Sequence, residues 1–315
     1  MSNNITRVST LNMPHEEWLA TRRKSIGGSD AGALLGLNDY SSPYSLWAEK
    51  AGHVIPEDIS DKEAVRLGHD LEQYVAERWT EKTGKKVRRD NNFIYNSEYP
   101  FAHASIDRSV IGENAGLECK TTSSWDILQQ CRDGDYPNTW YAQMTHYMMV
   151  TGADRWYLGV LVLGKGFFEF TIERNQAEID ALADAERNFW RYVEDNTPPP
   201  LDGTEATQGA LKTILGDSTP GNIDLTGVGN HVTLYCSIKD RIKDLETDLA
   251  EQAAIIMQYM NDAEKGSYNN VSVNFKTRTS KLFDRAAFEA ANGPIPDMFF
   301  KTSISRPFKV NVNKG

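Results

Sequence analysis

The sequence predicts an α/β or α+β fold in which helices frame a β-sheet. Residues 155–163 and 166–172 are rich in Val, Leu, Tyr and Phe, which are enriched in strands. A segment with helical periodicity at 61–83 precedes these strands, and another at 175–194 follows them. Because the strands lie between helices along the chain, we expect one sheet covered by helices.

Length, cysteine content and hydropathy indicate the broad class of the protein. A chain of 315 residues can bury a full core. The three cysteines, Cys119, Cys131 and Cys236, are widely spaced and odd in number, which argues against a disulfide framework or a four-cysteine metal cluster. The start of the chain lacks an export signal, and no apolar run approaches the roughly 18 residues of a membrane span. We therefore expect a cytoplasmic protein that does not enter a membrane.

The net charge of -10 is not typical of a nucleic-acid binder, because phosphate contacts usually come from Lys and Arg. Two basic runs, at 82–89 and 22–24, depart from this balance. Each run is either a solvated face or a contact for a polyanion. A metal site made of acidic ligands would also lower the net charge.

The N-terminal part predicts two short helices separated by a glycine turn. Residues 14–24 begin with proline, continue with acidic residues and end with basic ones, which matches the helix dipole. Two glycines then predict a flexible turn, and Ser29 predicts the N-cap of a helix that runs to residue 35. A helix start close to Arg22 can bind a phosphate. Without Arg22, Ser29 would be only a helix cap.

A carboxylate interrupts the apolar stripe of the long predicted helix at 61–83. Glu72 falls among Val65, Leu71, Val75 and Trp79, and a buried carboxylate is costly unless it is paired, neutralised or bound to metal. Three interpretations stay open: an ion pair with an arginine, a helix face that reaches solvent, and an active-site group. Gly68, one turn earlier, predicts that a strand approaches the helix closely.

Residues 106–121 predict a β-hairpin that would bring three charged side chains together. Asp107 lies on the first strand, and Glu118 and Lys120 share one face of the second. If the hairpin folds back on itself, Asp107 lies beside Glu118, and two carboxylates suit Mg²⁺ or Mn²⁺. Such a site can hydrolyse a phosphodiester, with the lysine holding a water or compensating charge. The other interpretation is a surface hairpin with a solvated Glu-x-Lys face.

Further elements complete the first 203 residues, which we predict to be one domain. A short helix is expected at 46–52, and the sheet is expected to start at 92–95 and continue through 102–110 and 116–121. Gln143 lies on a predicted helix at 139–151, where it is either a structural amide or an active-site group.

Residues 204–315 are predicted to form a C-terminal extension. A polar, glycine-rich linker is expected at 204–230, followed by a long amphipathic helix from 231 to 261 with nearly heptad spacing. Alternating patterns at 271–275 and 306–312 predict a small β unit. We expect the helix either to pack on its own domain or to contact a partner chain.

Six motifs occur in a characteristic order along the first two thirds of the chain. They are Trp18 with Arg22, G-S-D at 28–30, L-G-H-D-L-E ending at Glu72, S-I-D ending at Asp107, L-E-C-K at 117–120 and Y-A-Q-M-T-H-Y-M at 141–148. This order resembles the YqaJ-type viral recombinases, the phage lambda exonuclease-like branch of the PD-(D/E)XK nuclease superfamily. The resemblance covers roughly residues 14–200.

The resemblance implies a magnesium-dependent 5′ to 3′ exonuclease on linear double-stranded DNA, with manganese as a substitute. It implies a central mixed sheet flanked by helices, a bacterial host cytosol and a single-strand annealing protein as partner in phage recombination. It also implies a homo-oligomer, a trimer in the lambda-like enzyme, although residues 204–315 have no counterpart there.

Carried over position by position, the resemblance implies roles for individual residues. The implied metal ligands are Asp107, Glu118 and the Cys119 carbonyl, the implied catalytic groups are Lys120, Glu72 and Gln143, and the implied 5′-phosphate ligands are Arg22 and Ser29. Two positions depart from the family pattern: Ile106 stands where a proline is usual, and His146 replaces a usual residue of the glutamine helix.

Two other functional classes stay open at the level of sequence. One is an endonuclease or nickase of the same superfamily, which would cut circular DNA. The other is a catalytically silent DNA-binding or assembly protein, although binding alone does not require Asp107, Glu118 and Lys120. An iron-sulfur exonuclease is excluded by the number of cysteines.

Overall fold

The structure is a computed structural model, and it describes residues 4–302, 308 and 310. The chain forms two compact units, Met1–Gly216 and Asp217–Gly315. The helices of the first unit are α1 (His15–Arg23), α2 (Gly28–Leu34), α3 (Pro43–Lys50), α4 (Glu63–Thr83), α5 (Trp125–Arg132), α6 (Asn138–Thr151), α7 (Gln176–Glu194) and α8 (Glu205–Leu215). Its strands are β1 (Ile5–Ser9), β2 (Val87–Arg89), β3 (Asn92–Asn96), β4 (His103–Ala104), β5 (Arg108–Val110), β6 (Ala115–Thr122), β7 (Arg155–Val162) and β8 (Gly166–Glu173).

The predicted mixed sheet flanked by helices is confirmed. Five strands form the central sheet in the order β2-β5-β6-β7-β8, in which β6 and β7 run parallel and the other neighbours run antiparallel. The predicted helices that correspond to α4, α6 and α7 agree with the structure to within two residues at each end. Helix α3 begins earlier than expected, because Ser42 caps it and Pro43 fills its first position.

The prediction that the sheet begins at 92–95 is wrong. Strand β3 belongs to a separate three-stranded sheet, where it pairs with β1 and β4. The edge of the central sheet is formed instead by β2, whose three residues lie in the basic run and pair with β5. Short, charged edge strands of this kind carry little of the apolar alternation by which a strand is recognised.

Each face of the central sheet packs against a different helix. On one face, Trp79 of α4 packs with Leu117 of β6 and Tyr157 of β7. On the other face, Leu158 and Val160 of β7 join a larger core that includes α6. Since side chains alternate along a strand, Glu118 and Lys120 lie on the α6 side and Leu117 on the α4 side.

The predicted linker at 204–230 is wrong over its first half. Residues 205–215 form α8, which Thr204 caps and which packs against α3 in the first unit. The Ser42 hydroxyl lies 2.7 Å from the hydroxyl of Thr207, and both residues are buried. The compact units therefore divide after Gly216 and not after residue 203.

The second unit contains the predicted long helix and a strand at the first of the two predicted β segments, which pairs with a strand at 265–268 that the sequence did not predict. Its elements are α9 (Gly229–Met260), β9 (Lys265–Tyr268), β10 (Val271–Asn274) and α10 (Arg285–Asn292), and β9 and β10 form an antiparallel pair. The second alternating segment, at 306–312, lies almost entirely outside the described residues. Within the described part of the chain, no helix has the length and apolar character needed to cross a membrane.

Candidate active site

The predicted hairpin brings Asp107 and Glu118 together. Asp107 directly precedes β5, and the antiparallel pairing of Arg108 with Leu117 places Asp107 opposite Glu118. The Asp107 carboxylate accepts a hydrogen bond of 2.8 Å from the backbone N–H of Cys119, which fixes its orientation. Glu118 is buried, so the alternative of a solvated Glu-x-Lys face is wrong for this residue.

Lys120, Glu118 and Gln143 form one hydrogen-bonded group on the α6 side of the sheet. The ammonium of Lys120 lies 2.7 Å from the Glu118 carboxylate and donates to the Gln143 carbonyl oxygen over 2.9 Å. The Gln143 amide donates to Glu118 over 2.9 Å and to the Tyr147 hydroxyl over 2.8 Å. The Gln143 amide therefore orients Lys120 through its oxygen, and Glu118 and Tyr147 through its nitrogen.

The electrostatics of this group favour an added cation. Burial, together with the carboxylates of Glu118 and Glu72, raises the pKa of Asp107 well above its ordinary value. Burial opposes the charge on Lys120, but Glu118 and Asp107 outweigh it and raise the lysine pKa, so the side chain stays protonated. Lys120 supplies one positive charge beside the two carboxylates of Asp107 and Glu118, whose negative charge is therefore incompletely balanced.

One atom of the group has no partner among the described residues. The second carboxylate oxygen of Glu118, Oε2, is buried and makes no hydrogen bond. A buried carboxylate oxygen without a donor is costly. A hard divalent cation between Asp107 and Glu118 would satisfy this oxygen and relieve the repulsion between the two carboxylates. The donor set therefore fits Mg²⁺ or Mn²⁺.

The protein supplies only part of a coordination shell. No group of three or more His, Cys, Asp and Glu side chains in the described part of the chain is arranged to hold a metal ion. A cation at Asp107 and Glu118 would need backbone, water or substrate oxygens for its remaining positions, which is usual for Mg²⁺.

Glu72 contacts two arginines at the edge of this cluster. Its carboxylate pairs with Arg108, which is buried, and with Arg89 at 3.2 Å. The ion-pair interpretation is therefore correct, and the effect of Glu72 on the pKa of Asp107 also places it near the carboxylates. The prediction for Gly68 is wrong, because nothing lies within 4 Å of a Cβ added there.

The thiol of Cys119 is unsuited to metal binding and to nucleophilic attack. Burial, together with the negative charges of Asp107 and Glu118, raises its pKa well above the ordinary value. The thiolate is the form that binds metal and attacks electrophiles. Only the backbone of Cys119 is therefore available for the chemistry of the site.

Arg22 and Ser29 form a second polar group. An Arg22 guanidinium N–H donates to the Ser29 hydroxyl, and the guanidinium lies 5.4 Å from the centre of the Trp18 ring. Arg22 makes no ion pair with a carboxylate among the described residues. Its charge is therefore free to meet an anionic ligand.

The prediction that Ser29 caps the helix is wrong. Gly27 is the N-cap of α2, and Ser29 lies in the first turn. The Asp30 carboxylate accepts a hydrogen bond of 2.9 Å from the Gly27 N–H and so performs the capping role. The Ser29 hydroxyl is consequently available to Arg22 and to a ligand.

The paired glycines serve close packing rather than a flexible turn. A Cβ on Gly28 would lie 2.5 Å from the ring of Tyr147, and one on Gly27 would lie 3.1 Å from the ring of His103. Gly28 therefore lets the start of α2 approach α6, the helix that carries Gln143. This approach brings the Arg22 group and the carboxylates to the same side of the molecule.

A buried ion pair joins the end of α1 to the start of α2. Lys50 of α3 lies 2.6 Å from the Asp30 carboxylate and donates to the Arg22 carbonyl oxygen over 3.2 Å. Burial alone would raise the pKa of Asp30, but Lys50 and Arg22 lower it to about 2. Lys50 thus fixes the backbone of Arg22 and the cap of α2 together.

Arg22, Ser29, Asp107 and Glu72 line one cleft. This cleft has a volume of about 640 Å³. Its walls include the following residues that have a role above: Trp18, Arg22, Ser29, Glu72, Asp107 and Gln143. A ligand that spans the cleft can therefore reach both sites at once.

The two basic runs contribute one residue each to this cleft. Arg22 comes from the first run and Arg89 from the second. Lys82 and Lys85 of the second run pair with Glu169 and Glu113. Much of the second run is therefore a solvated, ion-paired face, which agrees with the first of the two interpretations given for the basic runs.

His146, one of the two departures from the family pattern, is part of a buried pair behind the cleft. Its Nδ1 lies 2.7 Å from the Glu186 carboxylate and its Nε2 lies 2.8 Å from the His103 carbonyl oxygen. Each ring nitrogen therefore has a hydrogen-bond partner. Burial opposes a charge on the ring, but Glu186 raises the pKa of His146, while burial raises the pKa of Glu186. Ile106 is buried in the core.

Sequence reasoning missed several residues of the site. Tyr147 follows Gln143 by four residues, and this helical spacing could have identified it as a contact. Arg108, Arg89 and Lys50 carry no comparable signal. Their roles depend on the packing of α4 against β5 and of α3 against α2, which no local pattern predicts.

Comparisons with known proteins extend over most of the chain. A family model described as the YqaJ-like viral recombinase domain matches residues 17–154. The uncharacterized protein YqaJ of Bacillus subtilis (strain 168) is 36% identical over 302 residues, which cover 94% of this chain and 93% of that protein. This match includes most of the C-terminal third.

Two solved structures are also similar to part of this chain. The alkaline exonuclease LHK-Exo from Laribacter hongkongensis is 21% identical, with a TM-score of 0.49 over 57% of this chain and 93% of that chain. A phage related exonuclease from Haemophilus somnus 129PT is 12% identical, with a TM-score of 0.38 over 57% of this chain and 99% of that chain.

Proposed function

This chain belongs to the YqaJ-like viral recombinase family, and from that premise we propose that it is an exonuclease acting on linear double-stranded DNA. The observation that carries the proposal is the convergence of Asp107 and Glu118 beside Lys120, with an unpartnered Glu118 oxygen. Asp107 and Glu118 hold Mg²⁺, for which Mn²⁺ substitutes, and the Cys119 carbonyl is the third protein ligand.

The roles of the residues follow from their contacts. When bound, the metal supplies Lewis acidity at the scissile phosphate and lowers the pKa of a water. Lys120 is protonated, so it acts as a fixed positive charge that holds a water or stabilises the negative charge that develops on the phosphate. Gln143 keeps Lys120 and Glu118 in place through its two hydrogen bonds. Glu72 holds the buried Arg108 and the exposed Arg89 beside the cleft.

The direction of digestion is assigned from the group formed by Arg22 and Ser29. A terminal 5′-phosphate carries more charge than an internal phosphate, and Arg22 with the Ser29 hydroxyl can bind it by charge-assisted hydrogen bonds. Because Arg22, Ser29 and Asp107 line one cleft, a 5′ end held by Arg22 and Ser29 places a nearby phosphodiester at Asp107. Digestion therefore runs 5′ to 3′ and leaves 3′ single-stranded tails.

These tails define the place of the enzyme in recombination. A single-strand annealing protein is the partner that uses them, and the setting is the cytosol of a bacterial host during phage-type homologous recombination. We also infer a homo-oligomeric state, with the trimer of lambda-like enzymes as one form that the first unit can adopt.

The test is digestion of a linear duplex and a closed circle of the same sequence, each with Mg²⁺ and with EDTA. The proposal predicts mononucleotide release from the linear duplex only, and only with Mg²⁺. Nicking or linearisation of the circle would establish an endonuclease instead. Binding of the linear duplex without any release would establish a catalytically silent DNA-binding protein.

A further inference from the structure

Helix α9 carries an apolar seam that is exposed along its length. The seam residues recur at alternating steps of four and three residues, which is the heptad spacing of a coiled coil. They are Ile238, Ile242, Leu245, Leu249, Ile256 and Tyr259, to which Gln252 adds one polar position. Their exposure ranges from 44% at Ile238 to 92% at Tyr259. Apolar residues in such a stripe normally pack against another helix.

We propose that this seam pairs antiparallel with α9 of a second copy of this chain. In the register that we assign, Ile242 packs against Leu245 of the second copy, and Ile238 packs against Leu249 of the second copy. The twofold axis passes between Lys243 and Asp244. Each contact therefore occurs twice in the dimer.

Charges beside the seam select this arrangement. The positions that flank the seam face the equivalent flanking positions of an antiparallel partner. In the assigned register Arg241 faces Asp248 of the second copy, and Lys239 faces Glu246 of the second copy. With their symmetry mates these contacts make four pairs of opposite charge around the centre of the interface.

The flanking positions at the two ends of the helix also match. Leu234 faces Ile255 of the second copy, so two exposed apolar side chains cover each other. Val232 faces Ala253 of the second copy in the same way. Charged flanks thus meet opposite charges at the centre, and apolar flanks meet apolar side chains at the ends.

A parallel pair satisfies these positions less well. It would place Leu234 against Lys239 and Asp248 against Ala253, and of the charged flanking residues only Arg241 and Glu246 would meet an opposite charge. It would also place Gln252 against Gln252 of the second copy. The antiparallel register instead places Gln252 against Tyr235, whose hydroxyl can pair with the amide.

The register uses nearly the whole helix. The middle of Gly229–Met260 lies within about one residue of the assigned twofold axis, so the two helices overlap over about 45 Å. Among the described residues, contacts within the chain reach the N-terminal end of the seam, where Phe308 meets the Tyr235 ring and Lys239 donates to the Val310 carbonyl. The residues from Ile242 to Leu249 stay exposed.

The first experiment measures the molar mass of the full chain by light scattering during size-exclusion chromatography. The Ile242→Asp/Leu245→Asp variant should have half the mass of the parent assembly. The control, Ser237→Asp/Thr247→Asp, adds the same charge at exposed positions outside the seam and should keep the parent mass. A parent that is monomeric, or a seam variant whose mass does not change, would overturn the proposal.

The second experiment tests orientation without placing a charge in the seam. Arg241→Asp and Asp248→Arg should each weaken dimerisation by about tenfold, since each change creates two like-charge contacts. The double variant should restore the parent dissociation constant, because it exchanges the two charges of one pair. If the single variants weaken dimerisation and the double variant does not restore it, the antiparallel register is wrong. Neither experiment depends on nuclease activity, so the pairing and the proposed function can fail separately.

Discussion

Replacing Asp107 with asparagine should stabilise the metal-free protein while abolishing its activity. The carboxylate of Asp107 is buried beside Glu118 and Glu72, and this environment disfavours its negative charge. Asparagine has the same shape, and its amide oxygen can still accept the 2.8 Å hydrogen bond from the Cys119 N–H. The variant therefore removes repulsion without removing a contact.

The size of the effect follows from general values for such changes. Relief of strain at a functional site contributes about 0.5 to 2 kcal/mol to stability. A domain of about 200 residues gains roughly 2 to 4 °C in Tm for each kcal/mol. In EDTA, Asp107→Asn should therefore melt about 1 to 8 °C above the parent protein.

Magnesium should reverse the order of the two melting temperatures, so that the parent protein melts above Asp107→Asn. A ligand at a hundred times its Kd adds about 2.7 kcal/mol to the stability of the protein that binds it, or roughly 5 to 11 °C here. The parent should gain this increment in differential scanning calorimetry, and Asp107→Asn should lose most of it. Asp39→Asn, in an exposed loop, is the matched control and should behave as the parent does. A variant that melts below the parent in EDTA and responds fully to Mg²⁺ would refute the assignment of the metal site.

Three further predictions concern the groups around the cleft. We expect the parent to prefer 5′-phosphorylated over 5′-hydroxyl duplex ends roughly tenfold to hundredfold, because charged hydrogen bonds contribute about 1.5 to 3 kcal/mol. Arg22→Ala should abolish most of this preference. Equal initial rates on both ends in the parent would show that Arg22 and Ser29 do not bind a 5′-phosphate. Lys50→Met should lower the free energy of unfolding in urea by about 3 to 5 kcal/mol, because it leaves Asp30 buried without its cation. Lys50→Met/Asp30→Asn should recover part of that loss. If the effects of the two changes are additive in the double variant, the pair is not coupled. Burial lowers the pKa of His103 to about 3, so below about pH 6.5 the unfolded chain binds a proton that the folded protein does not bind. The free energy of unfolding should therefore fall by up to about 1.4 kcal/mol per pH unit between pH 6.5 and 5. His103→Phe should show a shallower slope, and equal slopes would mean that His103 is protonated in the folded protein.

Residues with local signals were predictable from the sequence. Long periodic helices and apolar strands carry their own pattern, and α4, α6, α7, β7 and β8 agree with it. The approach of Asp107 to Glu118 was also predictable, because a hairpin with a short turn determines which residues face each other.

Features that depend on tertiary packing were not predictable. The edge strand β2 is short and basic, and β1 pairs with a segment more than eighty residues away, so neither shows a strand pattern. The paired glycines at 27 and 28 suggested a flexible turn, whereas the Tyr147 ring leaves no room for a side chain at Gly28 and the His103 ring crowds one at Gly27. Residues 205–215 were assigned to a linker because the whole segment 204–230 is polar and glycine-rich, yet they form a helix that packs on α3.

The central claim is that Asp107, Glu118 and Lys120 form a hydrolytic site, and Lys120→Ala tests it most directly. This change removes the positive charge beside Glu118 and leaves both carboxylates in place. The measurement is the rate of nucleotide release from a linear, 5′-phosphorylated duplex in Mg²⁺, with Lys212→Ala on the exposed face of α8 as the control. We expect a loss of at least about a hundredfold for Lys120→Ala, in line with the removal of one charge-stabilising group, and no loss for the control. Release at the parent rate by folded Lys120→Ala protein would show that the hairpin is not the active site.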